Sequence, residues 1–383
     1  MAVTLAGRAT GGPSTRGKNQ DDASQREDLA NFISMITRDE TPFMSSVGKT
    51  KATAIYHEWQ TDELQAPGNS RIGEGQDFDA PGATVSPAIT GSPDAFNIVG
   101  PNRSRLGNYT QINGKTIAVS GTRRAIDQAG VADEYAYQLK KRGTEMRRDI
   151  EQDLVHSMNV SGAFTTQSGA ARQMGGYQAW INYTGLAKLA AGASGASLPT
   201  SGNQGLGTNH VFQTSAGTAI TRGSLALSDI DAVMQAIYEE GGKATRIMLS
   251  PKLRRDFSDL MVTDSGVRRN IDSEGKLRQS VDIYMSDFGD LMVVPNYIMG
   301  LTNEVDLSTA TSTGVSGTAA NNEDLADFSA LIYDPMWFNM ASLRPMQEVD
   351  VGQKGDSTVG MMVEEQTLEC RNPKGCGAIY ALS

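Results

Sequence analysis

Cysteine, histidine and aromatic residues are scarce in this chain of 383 residues. It has two cysteines and three histidines, and aromatic side chains make up 6% of it. A structural zinc site needs four closely placed Cys or His ligands, whereas His57, His156 and His210 fall in separate segments. We therefore predict no metal site, no cofactor and no catalytic residue.

Long apolar runs are also missing. No stretch approaches the roughly 20 apolar residues of a transmembrane helix. The first 19 residues, MAVTLAGRATGGPSTRGKN, lack the hydrophobic core of a signal peptide. We therefore expect no membrane partner and a protein that is made in a cytoplasm.

An excess of positive charge is missing as well. The formal net charge is −10, so the sequence lacks the overall basic footprint of a nucleic-acid-binding protein. If the protein contacts DNA, we expect it not to bind the phosphate backbone tightly. The acidic charge could equally serve only solubility.

What is present begins with the helical spacing of residues 28–40. Apolar side chains recur there at the interval of one helix face, at Leu29, Phe32, Ile33 and Ile36. Asp28 can cap the start of such a helix, and Pro42 disfavours the helical conformation for the residue before it. The sequence therefore predicts a helix that ends near residue 40.

A long hairpin is predicted next. Between 53 and 65, Ile55, His57 and Trp59 alternate with polar or aromatic residues as in a strand. The stretch 108–122 is the expected return strand. The residues between them, 67–105, are rich in Pro, Gly, Asp and Ser and too numerous for a passive connector. The alternative to a hairpin is a disordered insertion.

The longest helical pattern runs over 131–158, which corresponds to roughly 40 Å of helix. Its apolar stripe consists of Tyr135, Leu139, Met146, Ile150, Leu154 and Met158. The same segment carries five cations: Lys140, Lys141, Arg142, Arg147 and Arg148. Acids at 145, 149, 151 and 153 interleave with them in the sequence. We therefore predict a solvated, mixed-charge face rather than a nucleic-acid site.

The second half of the chain alternates helices and strands. The predicted order is a helix over 228–240, a strand over 245–249, a helix from Pro251 to about 261, strands near 281–286 and 290–294, and a strand over 328–334. This order predicts a mixed α/β domain, and the last 40 residues predict a long two-stranded ribbon.

The two cysteines flank a predicted tight turn, Asn372-Pro373-Lys374-Gly375. In a simple two-residue hairpin, Cys370 would lie opposite Gly377, and the two thiols would point to opposite sheet faces. We therefore expect no disulfide, although a bulge would reverse that expectation.

Several segments resemble, in order, those of a known family. Besides 28–66 they are AIYEEGGKATRIMLSPKLRRDF at 236–257, VDIYMSDFGDLMVVPNYIM at 281–299, ALIYDPMWFNMASLRPM at 330–346, and GDSTVGMMVEEQTLECRNPKGCGAIYAL at 355–382. The chain resembles the major capsid proteins of tailed bacteriophages, in the group related to phage SU10, which share the HK97-like capsid fold.

The resemblance implies an α+β, HK97-like fold with four parts. These are an N-terminal arm (1–50), an extended hairpin loop (51–122), a peripheral domain with a long spine helix and a β-ribbon (123–162 and 345–383), and an axial domain (163–344). In this family the arm and the extended loop reach neighbouring subunits. We therefore take Leu29, Phe32, Ile36 and Trp59 as candidate inter-subunit contacts.

The implied function is a major capsid protein that assembles with itself, as hexamers and pentamers, into the icosahedral head around the double-stranded DNA of a tailed phage. The implied partners are a scaffolding protein, a portal, a decoration protein, and packaged DNA bound without sequence specificity. The implied location is the virion, after assembly in the bacterial cytoplasm. The alternatives are an encapsulin-like compartment shell and an unrecognised α/β enzyme.

Overall fold

The structure is a computed structural model. It describes residues 33, 35–62, 64, 103–126, 130–156, 171–181, 187–189, 196–197, 213–214, 223–264, 282–300, 329–353 and 355–380. No helix within these residues is long and apolar enough to cross a membrane.

The described residues form six α-helices and fourteen strands. The helices are α1 (Pro42–Ser46), α2 (Gly121–Ala125), α3 (Glu134–His156), α4 (Tyr177–Trp180), α5 (Leu227–Glu239) and α6 (Pro251–Asp264). The strands are β1 (Gly48–Lys51), β2 (Tyr56–Thr61), β3 (Ser104–Tyr109), β4 (Gln111–Ser120), β5 (Ala187–Leu189), β6 (Ala196–Ser197), β7 (Gln213–Thr214), β8 (Arg246–Leu249), β9 (Ile283–Ser286), β10 (Gly289–Pro295), β11 (Ala330–Tyr333), β12 (Phe338–Gln353), β13 (Ser357–Cys370) and β14 (Gly377–Tyr380).

A four-stranded sheet in the order β1-β12-β13-β4 carries the long helix α3 on one face. The long antiparallel pair of β12 and β13 is its centre. The helix lies close to β13 because two glycines leave room for it. Gly143 faces the side chain of Met362, and a Cβ atom on Gly360 would collide with the hydroxyl of Tyr135. The helix and the sheet therefore pack as one unit.

A six-stranded mixed sheet in the order β5-β14-β11-β8-β10-β9 forms the second unit. Helices α5 and α6 pack on one face, where Ile230, Val233 and Phe257 are fully buried. The other face of the central strands contributes Met248, Leu331, Tyr333, Ala378 and Tyr380 to the core that contains the end of α3. The two sheets thus share one continuous core region.

Most predicted elements of the second half are confirmed within a few residues. Helix α5 covers 227–239 against a prediction of 228–240. The chain leaves this helix at Gly241, which adopts φ 81°, a conformation that favours glycine. Strands β8 to β11 and helix α6 also match their predicted segments.

The helix predicted over 28–40 is wrong where the structure describes it. Residues 35–40 are not helical. The predicted helix ended before Pro42, whereas helix α1 begins at Pro42. Proline is accepted there because the first helical position has no intrahelical hydrogen bond to lose. Leu29 and Phe32 lie outside the described residues.

The predicted hairpin exists, but its return strand was placed too late in the chain. Strand β2 pairs antiparallel with β3, with Tyr56 opposite Tyr109 and Thr61 opposite Ser104. Strand β4, inside the predicted return segment, pairs instead with β13 in the four-stranded sheet. The predicted central segment, 67–105, lies almost wholly outside the described residues.

The predicted hairpin around the cysteines is wrong. Strand β13 ends at Cys370 and β14 begins at Gly377, but the two strands lie in different sheets, joined through a short 3-10 helix, Pro373–Gly375. The ribbon is therefore formed by β12 and β13 and starts at Phe338, earlier than predicted. Both cysteines are buried free thiols. Burial raises the pKa of the Cys370 thiol, and its contact with the Cys376 thiol adds to the rise.

Several strands do not fit the limits of the predicted domains, and β4 and β14 are two of them. Strand β4 lies before residue 122 but belongs to the sheet that packs on α3, and β14 lies after residue 345 but belongs to the six-stranded sheet. Chain order and sheet membership therefore differ at both places, and the domain division stays a prediction.

Candidate assembly surfaces

The arm root, which we define as α1 with the residues that hold it, joins the N-terminal segment to the body. Glu151 of α3 is fully buried, and its carboxylate oxygens accept hydrogen bonds from the backbone N–H groups of Phe43 (2.8 Å) and Met44 (2.7 Å). The amide of Asn296 donates a third, at 2.8 Å. Glu151 thus satisfies N–H groups at the start of α1 that have no partner within the helix.

Burial disfavours the charged form of Glu151, which is fully buried. Burial raises the pKa of the Glu151 carboxyl, while hydrogen bonds from Met44, Phe43 and Asn296, followed by the charge of His156, limit the rise. The carboxylate is therefore held by geometry rather than by a close ion pair.

An aromatic cluster fixes the same root. Phe43 is fully buried, and its ring centroid lies 5.9 Å from that of Tyr177, 5.4 Å from that of Tyr333 and 5.7 Å from that of Phe338. Such aromatic pairs add to the free energy of burial. The chain from α1 onward is therefore anchored firmly.

The segment before α1 is not anchored in the same way. Ile33, Met35 and Ile36 are 51%, 60% and 97% exposed. The candidate contact Ile36 therefore does not pack on the described body. A group of large exposed apolar side chains is a feature of interaction sites.

The hairpin root, which we define as β2 and β3 with their contacts to the body, depends on Asn108. The side-chain amide of Asn108 donates to the carbonyls of Gly175 (2.9 Å) and Leu368 (2.8 Å), and its oxygen accepts from the N–H of Gly175 (2.9 Å). Asn108 is fully buried. One side chain therefore ties β3 to two other segments.

Trp59 holds the other strand of the hairpin. Its ring centroid lies 5.2 Å from that of Trp180 in the core. The neighbouring His57 places Nε2 3.6 Å from a carboxylate oxygen of Glu369 on β13. Trp59, a candidate inter-subunit contact, thus packs within its own subunit.

A charged cluster lies beside the hairpin root. The buried Glu365 accepts hydrogen bonds from Thr110 Oγ1 (2.8 Å), Arg172 Nη2 (2.7 Å) and Arg344 Nε (2.8 Å). Burial alone would raise the pKa of Glu365, but the hydrogen bonds from Thr110 and Arg344 and the charge of Arg172 outweigh it, so the pKa is lowered. The ionised carboxylate is therefore stabilising here.

Neither Glu151 nor Asn108 was identified from the sequence. Glu151 carried a weak signal, since it follows Ile150 directly and precedes Leu154 by one helical turn, on the buried side of α3. Asn108 resembled an ordinary polar strand position. No group of three or more His, Cys, Asp or Glu side chains suited to a metal occurs in the described part of the chain.

The acids of α3 all have polar partners, and both signs of charge remain on the surface of the helix, where Arg142 pairs with Glu145 and Asp149 stays exposed. Glu145 pairs with Arg142 (2.6 Å), Asp149 pairs with Lys115, and Asp153 accepts from Gln111 (2.6 Å). Together with the capping role of Glu151, these contacts engage every acid that interleaves with the cations. The order of charges in the sequence did not reveal these partners because neighbouring helical residues point in different directions.

Comparison with known proteins places this geometry in a family. Residues 13–383 match the family model described as SU10 major capsid protein. A major capsid protein of Escherichia phage Phieco32 is 27% identical over 268 residues, which cover 66% of this chain and 71% of the relative.

Solved structures agree at the level of the fold. The mature capsid of bacteriophage PhiM1 aligns with 95% of this chain and 94% of that chain, with 12% identity and a TM-score of 0.52. A structure from Mycobacterium phage Ogopogo aligns with 94% of this chain and 97% of that chain, with 12% identity and a TM-score of 0.50. The fold is therefore α+β and HK97-like.

Proposed function

The chain belongs to the SU10 major capsid protein family, and from this premise we propose that its copies assemble as hexamers and pentamers around the double-stranded DNA of a tailed phage. The protein is a structural component of an icosahedral capsid and of the virion, not an enzyme. An encapsulin-like shell or an α/β enzyme is not favoured by this family match.

The observation that carries the proposed mode of assembly is the contrast along the N-terminal arm. Phe43 is fully buried in its own subunit, whereas Ile36, seven residues earlier, is 97% exposed. A shell surrounds each subunit with copies of itself, and these provide the surface that the exposed residues lack. We infer that Ile36, with Leu29 and Phe32, contacts a neighbouring copy.

The hairpin supports a second extension of the same kind. Trp59 and Asn108 fix its root to the body, so the paired strands β2 and β3 have a set direction. A contact that repeats over a closed lattice becomes strong in total even when each copy is weak. Arm and hairpin are therefore the parts that connect subunits, and Trp59 acts mainly by orienting the hairpin.

The sheets suggest a revised division of the body. The peripheral part would consist of α3 with the four-stranded sheet, including β4, and the axial part of the six-stranded sheet with α5, α6 and β14. The scaffolding protein, portal and decoration protein are proposed partners, and the bacterial cytoplasm is the proposed place of assembly.

Electron microscopy of the purified full-length protein tests this function. We expect closed, uniform shells under suitable assembly conditions. The variant Leu29→Ser, Phe32→Ser, Ile36→Ser should remain soluble and folded but form few shells. Wild-type protein that stays monomeric under every condition would contradict the proposed function, whereas normal shells from the triple variant would contradict only the role of the arm.

A further inference from the structure

Four cations of helix α3 form no close ion pair within the described part of the chain. Lys140 and Arg147 are exposed, and Lys141 and Arg148 are half-buried. Their spacing, 140, 141, 147 and 148, returns to the same side of a helix after two turns, about 10 Å further along the axis. We call these four residues, together with Lys49 of β1, the basic face.

Lys49 belongs to this surface because it and Arg147 lie near the same acid. Glu364 of β13 is 8% exposed, and burial raises the pKa of its carboxyl while the charges of Arg147 and Lys49 oppose the rise. Glu364 thus offsets part of the charge of Arg147 and Lys49, two of the five cations of the basic face. The basic face therefore keeps a clear positive charge within a chain whose net charge is −10.

The composition of the basic face favours nucleic acid over protein as its partner. None of the large exposed apolar residues lies within α3, and protein interfaces have an apolar core from which lysine is depleted. Interfaces with nucleic acid are polar and strongly positive instead. Lysine and arginine in a row along a helix suit the regularly spaced phosphates of a duplex.

We propose that the basic face binds the phosphate backbone of packaged double-stranded DNA, without sequence recognition, and that this side of α3 faces the interior of the shell. This inference rests on the proposed function, because the DNA lies inside the shell. The acidic remainder of the subunit limits adhesion elsewhere, so contact is confined to one place on each copy. Weak sites repeated over the inner wall would order the outer layer of DNA without preventing its release.

The test is binding of full-length, unassembled protein to a short duplex of random sequence at several salt concentrations. Each neutralised phosphate lowers the slope of log K against log salt by about 0.9, so wild type should give a slope of about −3 to −4. The variant Lys140→Gln, Lys141→Gln, Arg147→Gln should lose most of this slope and bind at least tenfold more weakly at low salt.

A matched variant controls for net charge. Lys243, Lys252 and Arg255 are also exposed but lie outside the basic face. Their triple change to Gln removes the same charge and should leave the slope within one unit of wild type. Equal weakening by the two variants, or no measurable binding by wild type at low salt, would overturn the proposal.

Shell formation separates this proposal from the proposed function. We expect the basic-face variant to form normal shells by electron microscopy. Normal shells without any binding of DNA by wild type would refute the basic face alone. Loss of shells in the basic-face variant but not in the control variant would assign this surface to a protein contact and would also refute the proposal.

Discussion

The arm root and the hairpin root both attach an extension to the body, but the pKa values of their buried carboxyl groups shift in opposite directions. Each joins an extension to the body through one buried carboxylate or amide with several hydrogen bonds. At the arm root, the pKa of Glu151 is raised by burial. Beside the hairpin root, the pKa of Glu365 is lowered because two arginines and a threonine outweigh burial. The charge of Glu151 is thus unfavourable at the arm root, whereas the charge of Glu365 is favourable beside the hairpin root.

The largest effect is expected from Glu151→Ala. This change leaves the N–H groups of Phe43 and Met44 without their buried acceptor, which should cost about 2–4 kcal/mol of the free energy of unfolding. Chemical denaturation measures the loss. Gln152→Ala, at the exposed neighbouring position, should change stability by less than about 0.5 kcal/mol. Equal stability of Glu151→Ala and wild type would mean that α1 does not need its cap.

Asn108→Leu should be the second largest change. It leaves the carbonyls of Gly175 and Leu368 and the N–H of Gly175 unsatisfied, at an expected cost of about 2–3 kcal/mol. Hydrogen exchange should increase in 104–109 more than in 42–46. The exposed Gln60→Ala serves as the control on the same hairpin. Increased exchange spread evenly over both roots would contradict a specific role for Asn108.

Acidification should distinguish the two roots. Since the folded pKa of Glu365 is lowered, its contribution to stability is present above the ordinary Glu pKa of about 4.3 and is lost as the pH falls through the folded value. Since the pKa of Glu151 is raised, protonation there removes a buried charge, and its contribution moves in the opposite direction.

Hydrogen exchange corrected for intrinsic rates measures this difference. Between pH 7 and pH values below about 4, protection should fall first at Thr110 and along β3, while the N–H groups of Phe43 and Met44 stay protected. The variant Glu365→Gln should remove most of the difference. Earlier loss of protection at Phe43 would reverse the comparison.

The smallest effect is expected from Trp59→Leu. Because Trp59 is only half-buried against Trp180, losing the ring contact should cost about 1–2 kcal/mol. The more informative readout is the yield of shells, which should fall further than stability does if the ring orients the hairpin. Ile55→Ala, at an exposed position before the same strand, is the control. Unchanged yield with reduced stability would limit Trp59 to packing.

The sequence predicted the body of the protein better than its joints. Periodicity located α3, α5 and β8 to β11 because long amphipathic or buried segments leave a repeated signal. It failed at Pro42 because a proline can either follow a helix or begin one, and contacts distant in the sequence, from Glu151 and from the aromatic cluster around Phe43, favour the second outcome. It failed at Cys370 and Gly377 because strand partners are chosen by the whole sheet, not by the turn.

The candidate contacts were predictable only in part. Ile36 was predicted to contact another subunit, and it is 97% exposed on its own subunit. The helix that its spacing suggested is not formed by residues 35–40. The partners of the acids on α3 were hidden because Lys115 and Gln111 come from a strand far away in the sequence. Side-chain direction decides the charge of a surface, and sequence order alone does not provide it.

A cryo-electron microscopy map of the assembled particle would show directly whether the arm contacts a neighbouring subunit. We expect Phe43 to lie in the aromatic cluster of its own subunit and Ile36 to be buried against a neighbouring copy, with the hairpin from the same subunit extending over another. A map in which Ile36 faces solvent, or folds back on its own subunit in every copy, would contradict this expectation.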